Sequence, residues 1–564
     1  MKTIVAAALG ECVHVAGVLS FLRLAEAAGW RTVFLGPATP ADSVLEAARA
    51  EGADLVAVSY RLTPDNGERL LAEFAETVDE LHARGVRFVF GGTPAVAERA
   101  RGLGFFDAVF DGSEPVEAIV GYLRGQPYES PRAEDYPDMT VARIEWRDPY
   151  PILRHHFGLP TMEATVKGVA EIAEARVLDV LSLGIDQDAQ ENFFHPERQD
   201  PRRTGAGGVP VRSADDYAAL YAASRRGNYP LMRSYSGTDD LERLAEVHLS
   251  TIQNAWCAVS LYWFNRMDGR GPWELEPSIE QHQRLMAWYA ARGVPVEANE
   301  AHHWGLRDAP DVVFCAASYL AAYNARAMGV RDYIVPLMFN SPPSLGERMD
   351  LARMLATLDL IEPLAGDDFR IWRQTRTGLL SYPQDMDAAR AHLAASVYLQ
   401  MALRPHIVHV VGYSEAQHAA TAAEVIESCR LARRAIENAL HGQPDMTADP
   451  AVAARRATLV AETQQTLEAI RRLAGADPGG ADPDGSDPRG SDPDGLDPFT
   501  DPATLARAVT SGVLDAPHLV NNPYGRGEIV ARDDGQGAWV AVDPETGQPM
   551  REAERLARLD IPRQ

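Results

Sequence analysis

The stretch Cys12-Val13-His14-Val15-Ala16-Gly17 follows an unbroken apolar run, residues 3–9, and precedes a segment, 18–28, whose apolar residues recur at helical spacing. A short apolar run bounded by a loop reads as a buried strand. His14 therefore stands in the loop that leaves a first strand, at the end where open α/β sheets bind ligands. Alone, such a histidine is more often a solvated or merely hydrogen-bonded loop residue.

The following residues repeat the pattern. Residues 30–35, 55–59, 87–90 and 105–110 read as further strands, and 43–51, 67–84 and 115–124 as helices. Strands that alternate with helices imply a parallel, doubly wound α/β sheet. Ser59 and the pair Gly91-Gly92 then fall, like His14, at carboxyl ends of strands.

This arrangement resembles the flavodoxin-like cobalamin-binding domain of coenzyme-B12-dependent mutases and methionine synthase. That family carries Asp-x-His-x-x-Gly after strand one, Ser-x-Leu after strand three and Gly-Gly after strand four. The resemblance spans residues 1–128 and implies that His14 is the lower cobalt ligand, the one metal-binding residue expected. It implies that Gly17, Ser59, Leu62, Gly91, Gly92 and Thr93 line a slot for the nucleotide tail, where glycine lets backbone approach closely. Two departures stand out. Cys12 replaces the acid that would orient the histidine's other nitrogen, and a thiol is a weak partner; Glu11, one residue away, is the alternative. The serine element is also stretched, to Ser59-Tyr60-Arg61-Leu62. The rival reading is a flavodoxin-like domain that has lost the cofactor.

Composition bounds the rest. A chain of 564 residues, 46% hydrophobic, holds more than one domain. A net charge of −26 argues against nucleic acid or an anionic membrane as partner. No signal-peptide pattern or membrane-length apolar run is read, and Cys12, Cys257, Cys315 and Cys429 show neither metal nor disulfide spacing. The expected location is the cytoplasm. Lysines occur only at positions 2 and 167. Lys167 lies in an ordinary amphipathic segment, which disfavours pyridoxal phosphate chemistry.

Residues 129–150 read as a linker, 151–474 as a (β/α)8 TIM-like barrel with C-terminal helices, 475–497 as a disordered Asp-Pro-Gly repeat and 498–564 as a small cap. The barrel strands are expected at 177–183, 230–232, 258–262, 295–298, 312–316, 333–338 and 369–372. The barrel resembles the catalytic subunit of glutamate (methylaspartate) mutase in scattered segments, among them Met232-Arg233-Ser234-Tyr235-Ser236-Gly237 and Ser260-Leu261-Tyr262-Trp263. The resemblance implies adenosylcobalamin as cofactor and a radical carbon-skeleton isomerisation. It implies Arg233 as clamp for a substrate carboxylate, with Tyr262 and Glu300 as catalytic neighbours and Arg373, or alternatively Gln374, near the adenosyl group. Several of the family's glutamate contacts are replaced, so the substrate is read as a small carboxylate or amino acid. Glu300-Ala301-His302-His303-Trp304 reads as a polar rim of the barrel mouth in preference to a zinc site. A corrinoid methyltransferase and a non-catalytic cobalamin-binding protein are the alternatives, and a homodimer is among the assemblies left open.

Overall fold

The computed structural model describes residues 2–114, 116–126, 132–474 and 497–562, which divide into two compact units, 1–130 and 131–564. The Asp-Pro-Gly repeat at 475–496 and the junction at 127–131 lie outside the described residues. No helix among the described residues is long and apolar enough to cross a membrane.

The first unit is a five-stranded parallel sheet, β1 (Thr3–Ala8), β2 (Arg31–Phe34), β3 (Leu55–Tyr60), β4 (Arg87–Gly92) and β5 (Ala108–Phe110), in the order β2-β1-β3-β4-β5. Successive side chains of β1 feed opposite faces. Ile4 and Ala6 pack with Val18 and Leu22 of helix Ala16–Ala27, whereas Val5 and Ala7 pack with Val44, Leu71 and Val96 of helices on the other face. Burial on both faces is why β1 and β3 read as unbroken apolar runs. Strand order reverses between β1 and β3, so the crevice at their carboxyl ends is the topological switch point. The expected single helix at 67–84 is instead two, Pro64–Ala75 and Asp79–Ala83. The Thr77 hydroxyl donates to Phe74 O at 2.7 Å, a local bond that competes with the helical ladder.

The second unit is an eight-stranded parallel barrel: β6 (Ile152–Phe157), β7 (Val180–Leu183), β8 (Leu231–Arg233), β9 (Cys257–Val259), β10 (Val296–Ala298), β11 (Asp332–Phe339), β12 (Arg370–Thr377) and β13 (Ile407–Val410). Ala255 N donates to Met232 O at 2.8 Å, which draws the β9 edge to β8. The expected strand at 312–316 is a correction: it opens the helix Asp311–Ala327, buried on nearly every side, and a short buried apolar run has no period that tells strand from helix. β6 and β13 are the strands missing from the sequence reading, because Arg154, His155 and His156 interrupt the apolar pattern of one and His409 that of the other. C-terminal to the barrel, helix Pro502–Thr510 packs beside helices Leu275–Ala290 and Asp311–Ala327, and β14 (Val530–Asp533) and β15 (Trp539–Val542) form an antiparallel hairpin.

The barrel interior is layered. Ile152, Val180, Leu231, Ile334 and Ile407 form an apolar plug at the amino-terminal end. Two residues further along β6, β7 and β8 the inward positions are polar, Arg154, Ser182 and Arg233, and with Glu297 of β10 and Gln374 of β12 they are all buried. Below the plug, Asp179 accepts from Leu153 N at 2.9 Å and from Arg147 Nε at 3.0 Å, with Arg433 at 3.5 Å. Asp179 is fully buried, so removing it strands guanidinium charge in the protein. Asp179→Ala is expected to destabilise the barrel by about 3–5 kcal/mol in urea unfolding. A loss near zero would mean that the arginines find other partners.

Candidate functional site

In the first unit the register decides which residues meet. Ala8 pairs with Ser59, and Ser59 with Gly91, so the ends of β1, β3 and β4 lie side by side. Past β1 the chain is pinned: Gly10 N donates to Thr39 O at 2.9 Å, Ala38 N to Cys12 O at 2.9 Å, and Cys12 is fully buried. The loop then displays His14 to solvent at the start of helix Ala16–Ala27. Between that helix and the strand ends lies a cavity of about 440 Å³, lined by His14, Gly17, Ser59, Gly91, Gly92 and Thr93 over an apolar floor that includes Phe21, Val89 and Phe110.

Three observations fit this cavity to a long ligand with polar and apolar parts. The Ser59 hydroxyl is buried without a hydrogen-bond partner, which is costly unless a ligand satisfies it. A Cβ on Gly91 would meet nothing within 4 Å, so the absent side chain leaves space open. A Cβ on Gly92 would come within 2.9 Å of Tyr60 O, so only glycine lets β3 and β4 lie this close. Leu62 departs from the expectation: it is 40% exposed and does not line the cavity, whereas Arg61 does. The period of two explains this, because Arg61 continues the face of Ser59 past the end of β3.

Cys12, and not Glu11, accompanies His14. Cys12 Sγ lies 4.0 Å from His14 Nδ1, a weak sulfur contact. Glu11 instead accepts from Asn66 Nδ2 at 3.4 Å.

In the second unit the carboxyl ends of the strands surround a pocket of about 280 Å³, whose lining includes Arg154, His156, Tyr235, Glu297, His302 and Arg376. Glu297 is held by Trp256 Nε1 at 2.6 Å, Arg154 Nη1 at 3.1 Å and Arg233 Nη2 at 3.4 Å. Burial raises its carboxyl, and Arg154, Arg233 and the Trp256 hydrogen bond together outweigh that effect, leaving it at about 2. Arg154 also donates to Ser182 Oγ and Gln374 Oε1, which uses up most of its fork. Arg376 is different: among the described residues its guanidinium makes one hydrogen bond, a 3.4 Å contact from Nε to Thr377 O, and the residue lines the pocket. His302 Nε2 and Gln374 Nε2 are buried here without hydrogen-bond partners.

The residues assigned by resemblance fall differently. Arg233 is completely buried behind Glu297, not open at the mouth. Tyr262 lies in an apolar cluster with Trp263 and Trp304 and is not part of the pocket lining. Glu300 is fully buried and accepts from Ser260 Oγ, Leu261 N, Tyr262 N and Trp304 Nε1 at 2.7–3.0 Å. Burial pushes its carboxyl up to about 7 against those four donors. Its role here is to pin the turn after β9. Arg373 is a correction: it donates to Leu403 O and pairs with Glu362, both at the opposite, amino-terminal end of the barrel. Arg376, three residues on, reaches the mouth instead, because an odd step along β12 changes face.

His302 and His303 stand on the short helix Glu300–Gly305 at the rim. Among the described residues the one cluster with metal-like spacing is His195, Asp239 and Asp240, elsewhere on the surface. Arg154, His156 and Arg376 escaped the sequence reading, whereas Gln374 stood there as the alternative to Arg373. The available signal was polar residues two apart within strand-length segments, Arg154-x-His156 and Gln374-x-Arg376.

Residues 2–120 match the family model described as B12 binding domain, which makes the first unit a cobalamin-binding domain. No curated protein matches the chain. Among solved structures, similarity extends to a novel cobalamin-binding protein from Desulfitobacterium hafniense DCB-2, 20% identical, TM-score 0.19, covering 21% of this chain and 55% of that one. The chain thus spans about half the length of that protein. A truncated 3-deoxy-D-arabino-heptulosonate 7-phosphate synthase from Thermotoga maritima is 12% identical over 52% of this chain and 88% of that one, TM-score 0.30. The cobalamin-dependent S-adenosylmethionine radical enzyme OxsB is 8% identical over 85% of this chain and 69% of that one, TM-score 0.18.

Two variants test the cavity. Gly91→Leu places a side chain in the open space and is expected to lower retention of cobalamin at least about tenfold, read from the corrin absorbance after gel filtration. In the Co(II) state, wild-type protein labelled with 15N-histidine is expected to show nitrogen superhyperfine splitting in its EPR spectrum, and His14→Ala to lose it. Unchanged splitting in His14→Ala would remove the histidine from the cobalt.

Proposed function

We propose that the protein is an adenosylcobalamin-dependent radical mutase that rearranges the carbon skeleton of a small carboxylate or amino-acid substrate. The cobalamin-binding match of residues 2–120 supports the cofactor, and the observation that carries the substrate class is the guanidinium cluster at the barrel mouth. In the cofactor unit, His14 would ligate cobalt, while Ser59, Gly91 and Gly92 would hold the nucleotide tail. When bound, adenosylcobalamin supplies a carbon-centred radical through homolysis of its cobalt–carbon bond.

The chain's own residues do the rest. Arg376 offers a nearly free planar fork to a carboxylate, and a bidentate pair fixes orientation as well as charge. Arg154 and Glu297 hold the floor of the pocket rigid beneath it. Tyr235 stacks on His156 at 5.3 Å and walls one side. The enclosing aromatic and imidazole groups exclude water, which protects a reactive radical from side reactions.

The imidazoles of His156, His302, His303 and His409 are all held well below 6.5, by burial first and then by neighbouring arginines. They are neutral at pH 7, so the positive charge of the mouth comes from guanidinium groups alone. Because a lowered histidine gains its proton only below its depressed value, KM for an acid is expected to stay flat between about pH 6 and 8. A KM that rises steeply across this window would mean that a protonated histidine binds the substrate.

Holo-protein with adenosylcobalamin, offered short dicarboxylic, hydroxy and amino acids, is expected to give a Co(II) EPR signal with at least one of them. Arg376→Ala is expected to raise KM for that acid by about 1.5–3 kcal/mol of lost binding, with a smaller effect on kcat. Turnover of methylcobalamin with no Co(II) signal from the adenosyl form would overturn the mutase reading in favour of methyl transfer.

A further inference from the structure

The mouth of the barrel discriminates by charge as well as by size. Glu297 is the one carboxylate among the described residues that line the pocket, and its charge is already shared by two arginines. Its Oε2 accepts from Trp256 and Arg154, with Arg233 at 3.4 Å, and its Oε1 takes a 3.4 Å contact from Arg154. Arg270, also in the lining, is neutralised by Asp268 at 2.6 Å. Arg154 and Arg376 therefore share a lining with one carboxylate, Arg233 is buried behind that carboxylate, and the nearest further counter-charge to Arg376 is Glu415, outside the lining. Glu415 stands in an adjoining trough of glycines, where its Oε1 accepts from Gly412 N and lies 3.3 Å from His155 Nε2. An ammonium group in the pocket would sit beside guanidinium charges, where the one lining carboxylate is already paired with two arginines, an arrangement that costs affinity.

The remaining groups are neutral and suit oxygen. His302 Nε2 is buried without a partner, and its residue is only 5% exposed. Asn299 completes the same wall. Neutral imidazole and amide groups donate to or accept from a hydroxyl or carbonyl oxygen with no charge to repel.

We infer that the barrel's ligand is a hydroxy- or oxo-carboxylic acid without an ammonium group, its carboxylate on Arg376 and its oxygen function toward His302 and Asn299. This narrows the substrate class proposed above and rests on the reading of the mouth as the substrate site. It excludes α-amino acids by repulsion, in the way that specificity arises from penalties against the wrong ligand.

Matched pairs that differ only in hydroxyl against ammonium test it: lactate and alanine, malate and aspartate, 2-hydroxyglutarate and glutamate. Titrated calorimetrically into full-length cobalamin-loaded protein at neutral pH, at least one hydroxy acid is expected to bind and to outbind its amino partner about tenfold or more. Arg376→Ala, checked for unchanged melting and cobalamin content, is expected to abolish that binding, and Arg376→Lys to retain part of it. Equal or tighter binding of the amino acid overturns the inference, as does the absence of binding by every hydroxy acid. A Co(II) signal raised by an amino acid alone would sink this inference and leave the mutase reading standing. Hydroxy-acid binding with no Co(II) signal from any acid would do the reverse.

Discussion

The ion pair between Arg154 and Glu297 crosses the interior of the barrel from β6 to β10, and the architecture of the mouth depends on it. Both groups are almost wholly buried. Taking two charges out of water is worthwhile only where further hydrogen bonds complete them. Here Ser182, Gln374, Trp256 and the edge of Arg233 do so. The result is a rigid polar floor in which the acid is paired with two arginines. Above that floor the net charge comes from guanidinium, including the fork of Arg376, among neutral imidazole, amide and phenol groups. Burial lowers Arg154 to about 9, still protonated at neutral pH, so the field persists under physiological conditions.

The cofactor unit works by removal rather than by charge. Its sheet is packed on both faces, yet at the switch point the side chains shrink to serine and glycine. Gly92 is required because β3 passes too close for a Cβ, and Gly91 because the space beside it must stay open. The buried, unpaired hydroxyl of Ser59 marks the wall of that space as polar where a ligand would satisfy it. The Cys12 contact gives His14 a much weaker companion than a carboxylate would be.

Much of this was legible in the sequence. Strands that pack on both faces are runs of apolar residues, so β1, β3 and β4 and the ligand-bearing loops after them stand out. Barrel strands are harder. In β6 the inward positions Ile152, Arg154 and His156 pass from apolar plug to ion pair to mouth within five residues. That change of environment along one strand erases the apolar pattern by which a strand is recognised. The helix at 311–327 fails in the opposite way: it is apolar all round because neighbours cover it on nearly every side, and its period disappears.

The sequence by itself determined the order of elements, the doubly wound sheet and the clustering of His14, Ser59 and Gly91-Gly92 at strand ends. These follow from local periodicity and from the rule that ligands sit at carboxyl ends. Only the tertiary structure decided which arginine is free. Arg154, Arg233, Arg373 and Arg376 are equivalent as letters. Closure of the barrel spends two of them on Glu297, turns Arg373 to the far end and leaves Arg376 at the mouth. The reason is that a charge acquires its role from what else is buried beside it, and those neighbours come from strands more than a hundred residues apart.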